Sequence, residues 1–227
     1  MRGKKGLIIA IDGPAGSGKT TTARLVAERL GYLCVDTGAM YRAVTLKVLR
    51  LGIDPEDTAR ICEVVARTSI DFRGQGSQLR ILLDGEDVTE DIRSLEVTRN
   101  VSAVSSIGCV REVLIDMQRM MGRDGGVVME GRDIGTVVFP DADLKIFLVA
   151  SLEERARRRY KELVLKGANV TLDGIMRGIS ERDRQNIERK LSPLRKAEDA
   201  IVLDTSDLTI EEQVQRVIEL ARERGCG

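Results

Sequence analysis

Gly13-Pro14-Ala15-Gly16-Ser17-Gly18-Lys19-Thr20 matches G-x-x-x-x-G-K-[ST] at every fixed position. The glycines let successive backbone N–H groups turn inward with no Cβ in the way. Together with the N-terminus of a following helix, those groups form a concave anion site. Lys19 supplies a mobile positive charge for the β- and γ-phosphates of a nucleotide. Thr20, or its neighbour Thr21, can place a hydroxyl on Mg²⁺. A dinucleotide-binding turn is the rival reading, and Asp36 sits where such a fold would hold a ribose hydroxyl. It fails on spacing: after Gly16-Ser17-Gly18 the position that needs a third glycine is Thr21.

A second group is Asp36-Thr37-Gly38-Ala39-Met40-Tyr41-Arg42, and a third is Glu130-Gly131-Arg132-Asp133-Ile134-Gly135-Thr136. Each follows a strand-like apolar run. In an open parallel sheet, ligands lie outside the carboxyl ends of the strands, so both groups face the phosphate site. Arg42 and Arg132 can hold an anion with their forked donors. Thr37 and Tyr41 offer hydroxyls, and Asp133 can accept from the amino group of a base. The plainer readings are that Tyr41 and Arg42 cap a helix face, and that Arg132 and Asp133 form a structural pair. A third supply of charge is Arg155, Arg157, Arg158 and Arg159, with Arg182, Arg184 and Arg189 further on. Such runs are usually solvated helix faces. On a closing flap, though, they could neutralise a phosphoryl group in transfer.

The elements that must position these residues are readable. Leu7 to Ile11, Tyr32 to Val35, Val127 to Met129, Leu144 to Val149 and Ala200 to Leu203 read as short strands buried on both faces. Helical spacing follows in Lys19 to Leu30, Ala39 to Leu51 and Glu211 to Arg224, the last with a capping box from Thr209 and Glu212. The alternation predicts an α/β fold with a five-stranded parallel sheet flanked by helices. Ser69 to Val88 breaks the rhythm with short β-like runs between turn residues, and reads as a small antiparallel insert of roughly 40 residues with its flanking helix. Val110, Val113, Leu114, Met117 and Met121 mark a helix returning to the core, its methionines serving as packing. The chain is read as one domain: a core of residues 1–60 and 107–227, an insert at about 61–106 and a helical lid at about 152–192.

Composition excludes several chemistries. The chain has 227 residues and no His, which removes His-based acid–base catalysis and His-ligated zinc. Cys34, Cys62, Cys109 and Cys226 lie far apart, so a metal knuckle or a C-x-x-C redox pair is not expected. Reduced thiols in a cytoplasmic protein are the expectation. Lys plus Arg and Asp plus Glu are 36 each and aromatics are 3%, which argues against a nucleic-acid partner. No apolar run reaches bilayer length, and the basic stretch Met1 to Gly6 leads straight into the first strand.

Taken together, the motifs resemble the bacterial-type cytidylate kinases among the P-loop nucleoside monophosphate kinases. The pieces that match are Ile11 to Lys19, Asp36 to Arg42, Gly85-Glu86-Asp87-Val88, Gly131 to Ala142 and Lys145-Ile146-Phe147-Leu148. The resemblance runs from about residue 7 to 220. It implies a P-loop NTPase-type core with a helical lid and an acceptor-binding β insert. It also implies direct in-line transfer from ATP, with Mg²⁺, to CMP or dCMP. By position it makes Lys19, Arg132, Arg182 and Arg189 catalytic. ATP is assigned to Gly13, Pro14, Ala15, Gly16, Ser17, Gly18, Lys19, Thr20, Thr21 and Arg158, and the metal to Thr20. Thr37, Tyr41, Arg42, Ser102, Arg111, Arg132, Asp133, Arg182, Asn186 and Arg189 are assigned to the acceptor, with Ser102, Arg111 and Asp133 on the cytosine. Asn186 stands where the family pattern has Asp, which keeps the shape and loses the charge. A monomer is expected. The alternatives are another acceptor on the same fold (UMP, AMP or shikimate) or a non-catalytic nucleotide switch.

Overall fold

The computed structural model describes residues 6–165 and 167–225. Five parallel strands form the central sheet: β1 (Ile8–Asp12), β2 (Leu33–Asp36), β6 (Val127–Gly131), β7 (Leu144–Val149) and β8 (Ile201–Asp204), in the order β2-β6-β1-β7-β8. β1 lies at the centre, with Ile9 opposite Val128 on one side and Leu144 on the other. Its residues divide between two cores. Ile8 and Ala10 face one cluster with Val127 and Met129, while Ile9 and Ile11 face the other with Val128 and Ile146. That is why the strand sequences read as continuous apolar runs.

Helix α1 (Lys19–Leu30) and the C-terminal α8 (Ile210–Glu223) cover one face. α2 (Thr37–Arg50) and α5 (Gly108–Gly122) cover the other. The strand expected at Tyr32–Val35 is shifted by one residue, because the Tyr32 N–H closes the end of α1 by bonding the Ala27 carbonyl at 2.8 Å. The Thr209–Glu212 capping box of α8 is present. Asp36 caps α2 by accepting the Ala39 N–H at 2.9 Å, so its carboxylate serves a helix start.

The insert is a three-stranded antiparallel sheet of β3 (Ile70–Arg73), β4 (Arg80–Leu83) and β5 (Glu86–Asp87). Asp84 and Gly85 turn the second hairpin with φ of 50° and 89°, the left-handed pair that a two-residue hairpin needs. Two helices flank it where the sequence pattern predicts one, without bounds: α3 (Thr58–Val65) and α4 (Leu95–Ser106). Ile81, Leu83, Val88, Ile92 and Val97 of this region share one buried cluster with Met40 and Val44 of α2. α6 (Leu152–Leu165) and α7 (Leu172–Glu188) pack on each other beside the phosphate loop.

One expectation is corrected. Cys62 on α3 and Cys109 at the start of α5 are joined in a disulfide, with Cα atoms 5.7 Å apart. Helix packing brings them together across 47 residues of sequence, a proximity that spacing cannot reveal. Cys34 is a free, buried thiol, pushed up to about 12 by burial. Cys226 and Met1 to Lys5 lie outside the described residues. Among the described residues, no helix is long and apolar enough to cross a membrane.

Candidate active site

The carboxyl ends of β1, β2 and β6 meet at one edge of the sheet, and the loops leaving them build the site. Gly13 leaves β1 with φ 149°, and a Cβ there would come within 2.1 Å of the Leu148 carbonyl oxygen, so only glycine allows this turn. Gly18, also left-handed, opens α1. Lys19 folds back over its own loop, donating to the Pro14 carbonyl at 2.7 Å and lying 3.4 Å from the Ser17 hydroxyl. Lys19 is 4% exposed, and its ammonium is held down to about 7, by burial first and then by the nearby Arg132.

Two carboxylates that motif reading left without a role stand at the strand ends. Asp12 accepts the N–H groups of Ile134 and Gly135 at 2.9 and 2.8 Å, which ties the loop after β6 to β1. Burial pushes its carboxyl up to about 6 against those bonds. Glu130 accepts the Thr20 hydroxyl at 2.5 Å. Burial, with Asp36 nearby, raises it far above the usual carboxylate range. Their positions at the carboxyl ends of neighbouring strands were the available signal.

Among the described residues, no cluster of three or more metal-ligating side chains forms. The Thr20–Glu130 oxygen pair beside the phosphate loop suits Mg²⁺ nonetheless. That ion keeps several waters and binds through one or two protein oxygens plus substrate phosphates.

Two of the residues that the resemblance assigns to an acceptor, Arg111 and Arg189, meet at a third, Asp133, which is 5% exposed. Arg111 of α5 donates to one of its oxygens, and Arg189 lies 3.6 Å from the other. The Arg111 guanidinium also stacks over the Tyr41 ring, 5.3 Å from its centroid. Burial pushes the Tyr41 phenol up to about 12. The partner of Asp133 is therefore Arg111 rather than its sequence neighbour Arg132, which corrects the plainer pairing. Arg132 bonds the Gly131 carbonyl at 3.1 Å. Arg182 on α7 feels Arg132, Arg42 and Arg159 and is lowered to about 10, mainly by burial. Arg189 is lowered to a similar value by burial and Arg111. Such crowded like charges at a buried edge are expected where an anion binds.

Buried donors without a hydrogen bond occur here as well: Arg111 Nε, Arg132 Nε and Arg189 Nη2, the last held only by its ion pair with Asp133; Asn186 Nδ2 on α7 is likewise buried and unbonded. The Thr37 hydroxyl donates to the Glu130 carbonyl at 2.8 Å. Arg42 turns toward α4, donating to the Thr98 hydroxyl at 3.0 Å, while remaining close enough to feel Arg132. Ser102 is exposed on α4, one turn before Ser105, whose carbonyl accepts from Arg111 at 3.3 Å. Arg158 belongs to the other side of the phosphate loop. It bonds Thr205 and Glu154, and a Cβ on Gly18 would lie 3.7 Å from it. Thr20 and Thr21 are exposed at the start of α1. Arg184 pairs with Glu181 and Glu188 on a solvated face, as a charge run ordinarily does.

The family model for cytidylate kinase matches residues 9–223. The cytidylate kinase of Geobacter sulfurreducens is 49% identical over 222 residues, covering 98% of this chain and 95% of its own length. That of Chlorobaculum tepidum is 53% identical over 223 residues, with 96% and 93% covered. A solved structure of an uncharacterized protein from Eubacterium ventriosum superposes with a TM-score of 0.52 at 12% identity, covering 95% of this chain and 98% of that one. At that identity the likeness concerns the fold alone.

Proposed function

The chain belongs to the cytidylate kinase family, and we infer that it transfers the γ-phosphoryl group of ATP to CMP or dCMP, giving ADP and CDP or dCDP. The observation that carries the reading is one sheet edge holding a phosphate loop on β1 and a buried Arg111–Asp133–Arg189 cluster after β6. The loop suits the donor polyphosphate. The cluster suits a neutral base with an amino group beside a monophosphate.

An acceptor phosphate oxygen attacks the γ-phosphorus in line, and the bond to the bridging oxygen breaks as ADP leaves. The acceptor oxygen is already anionic, so no general base is required. The absence of His is consistent with this. The work is positioning and charge neutralisation. Lys19 and the loop N–H groups hold the β- and γ-phosphates. Arg132, Arg182 and Arg189 neutralise charge on the transferred group. Thr20 and Glu130 would hold Mg²⁺, which when bound screens the donor phosphates. Arg158 serves the donor from the far side of the loop.

Thr37, Tyr41 and Arg42 hold the acceptor monophosphate. Asp133, oriented by Arg111, accepts from the cytosine amino group, with Ser102 reaching it from α4 once the acceptor is seated. Asn186 faces the sugar. α6 and α7, within residues 152–192, act as the lid, and residues 61–106 as the acceptor-binding insert of a monomer. Incubation with MgATP and CMP tests the reading: ADP and CDP should form in equal amounts. ADP formed at the same rate with and without CMP would overturn it.

A further inference from the structure

The phosphate loop is gripped from outside by two residues of the arginine-rich helices. Asp183 of α7 accepts the Ala15 N–H at 3.3 Å through one carboxylate oxygen and pairs with Arg155 of α6 through the other. Arg155 donates to the Ala15 carbonyl at 3.1 Å and to the Ala150 carbonyl, also at 3.1 Å. The pair is largely buried, with the side chains 9% and 14% exposed. A surface ion pair of that chemistry would contribute little, but this one is desolvated and shares both partners with a single loop residue.

Among the described residues, Asp183 is the only residue of α7 hydrogen-bonded to the phosphate loop. Its sequence neighbour Arg182 lies toward Arg132 and Arg42 on the acceptor side. Successive residues of one helix thus reach the donor loop and the acceptor cluster. Arg189, two turns on, lies 3.6 Å from Asp133 in that cluster.

We propose that Asp183, clasped by Arg155 and Ala15, is a positioning residue that fixes α7 on the phosphate loop and so sets Arg182 against the phosphoryl group in transfer. It touches neither substrate nor the reacting atoms. Its effect is to hold the arginine-bearing helix in register with the loop that carries the donor. Misplacing a neutralising group by about an ångström costs on the order of 10²-fold in rate.

The test is a double-substitution cycle on the full chain, with Asp183→Ala, Arg155→Ala and both together, assayed with CMP well below each variant's melting temperature. Asp183→Asn is the near-isosteric control: it keeps an acceptor for the Ala15 N–H and gives up the charge that holds Arg155. Each single alanine should lower kcat on the order of 10²-fold, with KM for CMP rising by a smaller factor. The double variant should be no slower than the slower single, because the two act as one unit. Asp183→Asn should lie between native and alanine.

Losses that multiply in the double variant would overturn the proposal, as would kcat near native in Asp183→Ala and Asp183→Asn. A change in melting temperature without a change in kcat would reduce the pair to a structural bridge and overturn it too. The proposal rests on the phosphoryl-transfer reading. A native chain that makes no CDP would sink that reading, whereas an active native chain with unaffected variants would sink the clasp alone.

Discussion

Asp133 is the counter-ion of two arginines, and removing its charge should be felt in stability before it is felt in catalysis. The side chains of Arg111 and Asp133 are 3% and 7% exposed, and Arg189, 3.6 Å from the second oxygen, is 16% exposed. Asp133→Asn leaves Arg111 charged and dry. Breaking such a buried pair costs about 3–5 kcal/mol, a fifth or more of the roughly 5–15 kcal/mol that holds a domain together. In a chain of this length that is a fall in Tm of roughly 6–20 °C.

Arg111→Met should cost less, because Arg189 remains to balance Asp133. Arg111→Met with Asp133→Leu removes both charges and should return stability to within about 1 kcal/mol of native. Urea denaturation with an unchanged m value reads these differences directly. The double variant should fold well and still fail to use CMP efficiently. If Asp133→Asn unfolds at the native urea concentration, or if the double variant is no more stable than the single, Asp133 is not the counter-ion the geometry makes it.

Three further outcomes follow from the same structure. Lys19 is held down to about 7 from 10.5, so between those values the unfolded chain binds the extra proton and stability rises with pH. That rise should disappear in Lys19→Met, while kcat/KM for ATP in the native chain declines above about pH 7 as the ammonium is lost. An identical pH–stability curve in the variant would refute the assignment. The Cys62–Cys109 bond closes a loop of 47 residues, for which chain entropy gives about 4 kcal/mol as the stabilisation. Cys62→Ser with Cys109→Ser should lose up to that amount in urea melts, and equal stability with and without a dithiol reductant would contradict it. Asn186→Asp introduces a carboxylate at the position proposed to face the sugar and should shift the CMP to dCMP ratio of kcat/KM toward CMP; an unchanged ratio would remove Asn186 from the proposed sugar site.

The phosphate loop was legible because its chemistry needs glycines and a lysine at fixed offsets, and the parallel strands because residues buried on two faces leave unbroken apolar runs. Helices α3 and α4 were not, beyond the expectation of one helix beside the insert. α3 is eight residues long, and α4 places Val97, Val101 and Val104 among Thr, Asn and Ser, a composition of weak helix propensity that burial overrides. Asp12 and Glu130 were hidden by lying at the ends of apolar strands, where a carboxylate reads as the edge of a turn. The family resemblance could give Asp133 a role, but no local pattern pairs it with Arg111, 22 residues away, in preference to the adjacent Arg132. The disulfide is the same kind of fact. Pairings that tertiary packing makes leave no period in the sequence.

The central claim is that the cluster around Asp133 reads a cytosine monophosphate while the phosphate loop holds ATP. It is tested most directly by coupled ADP release from MgATP across CMP, dCMP, UMP, AMP and shikimate. The account predicts the highest kcat/KM for CMP and dCMP. A higher value for any of the others would keep the kinase chemistry and contradict the cytosine-reading roles of Ser102, Arg111 and Asp133, and no stimulation by any acceptor would contradict the account as a whole.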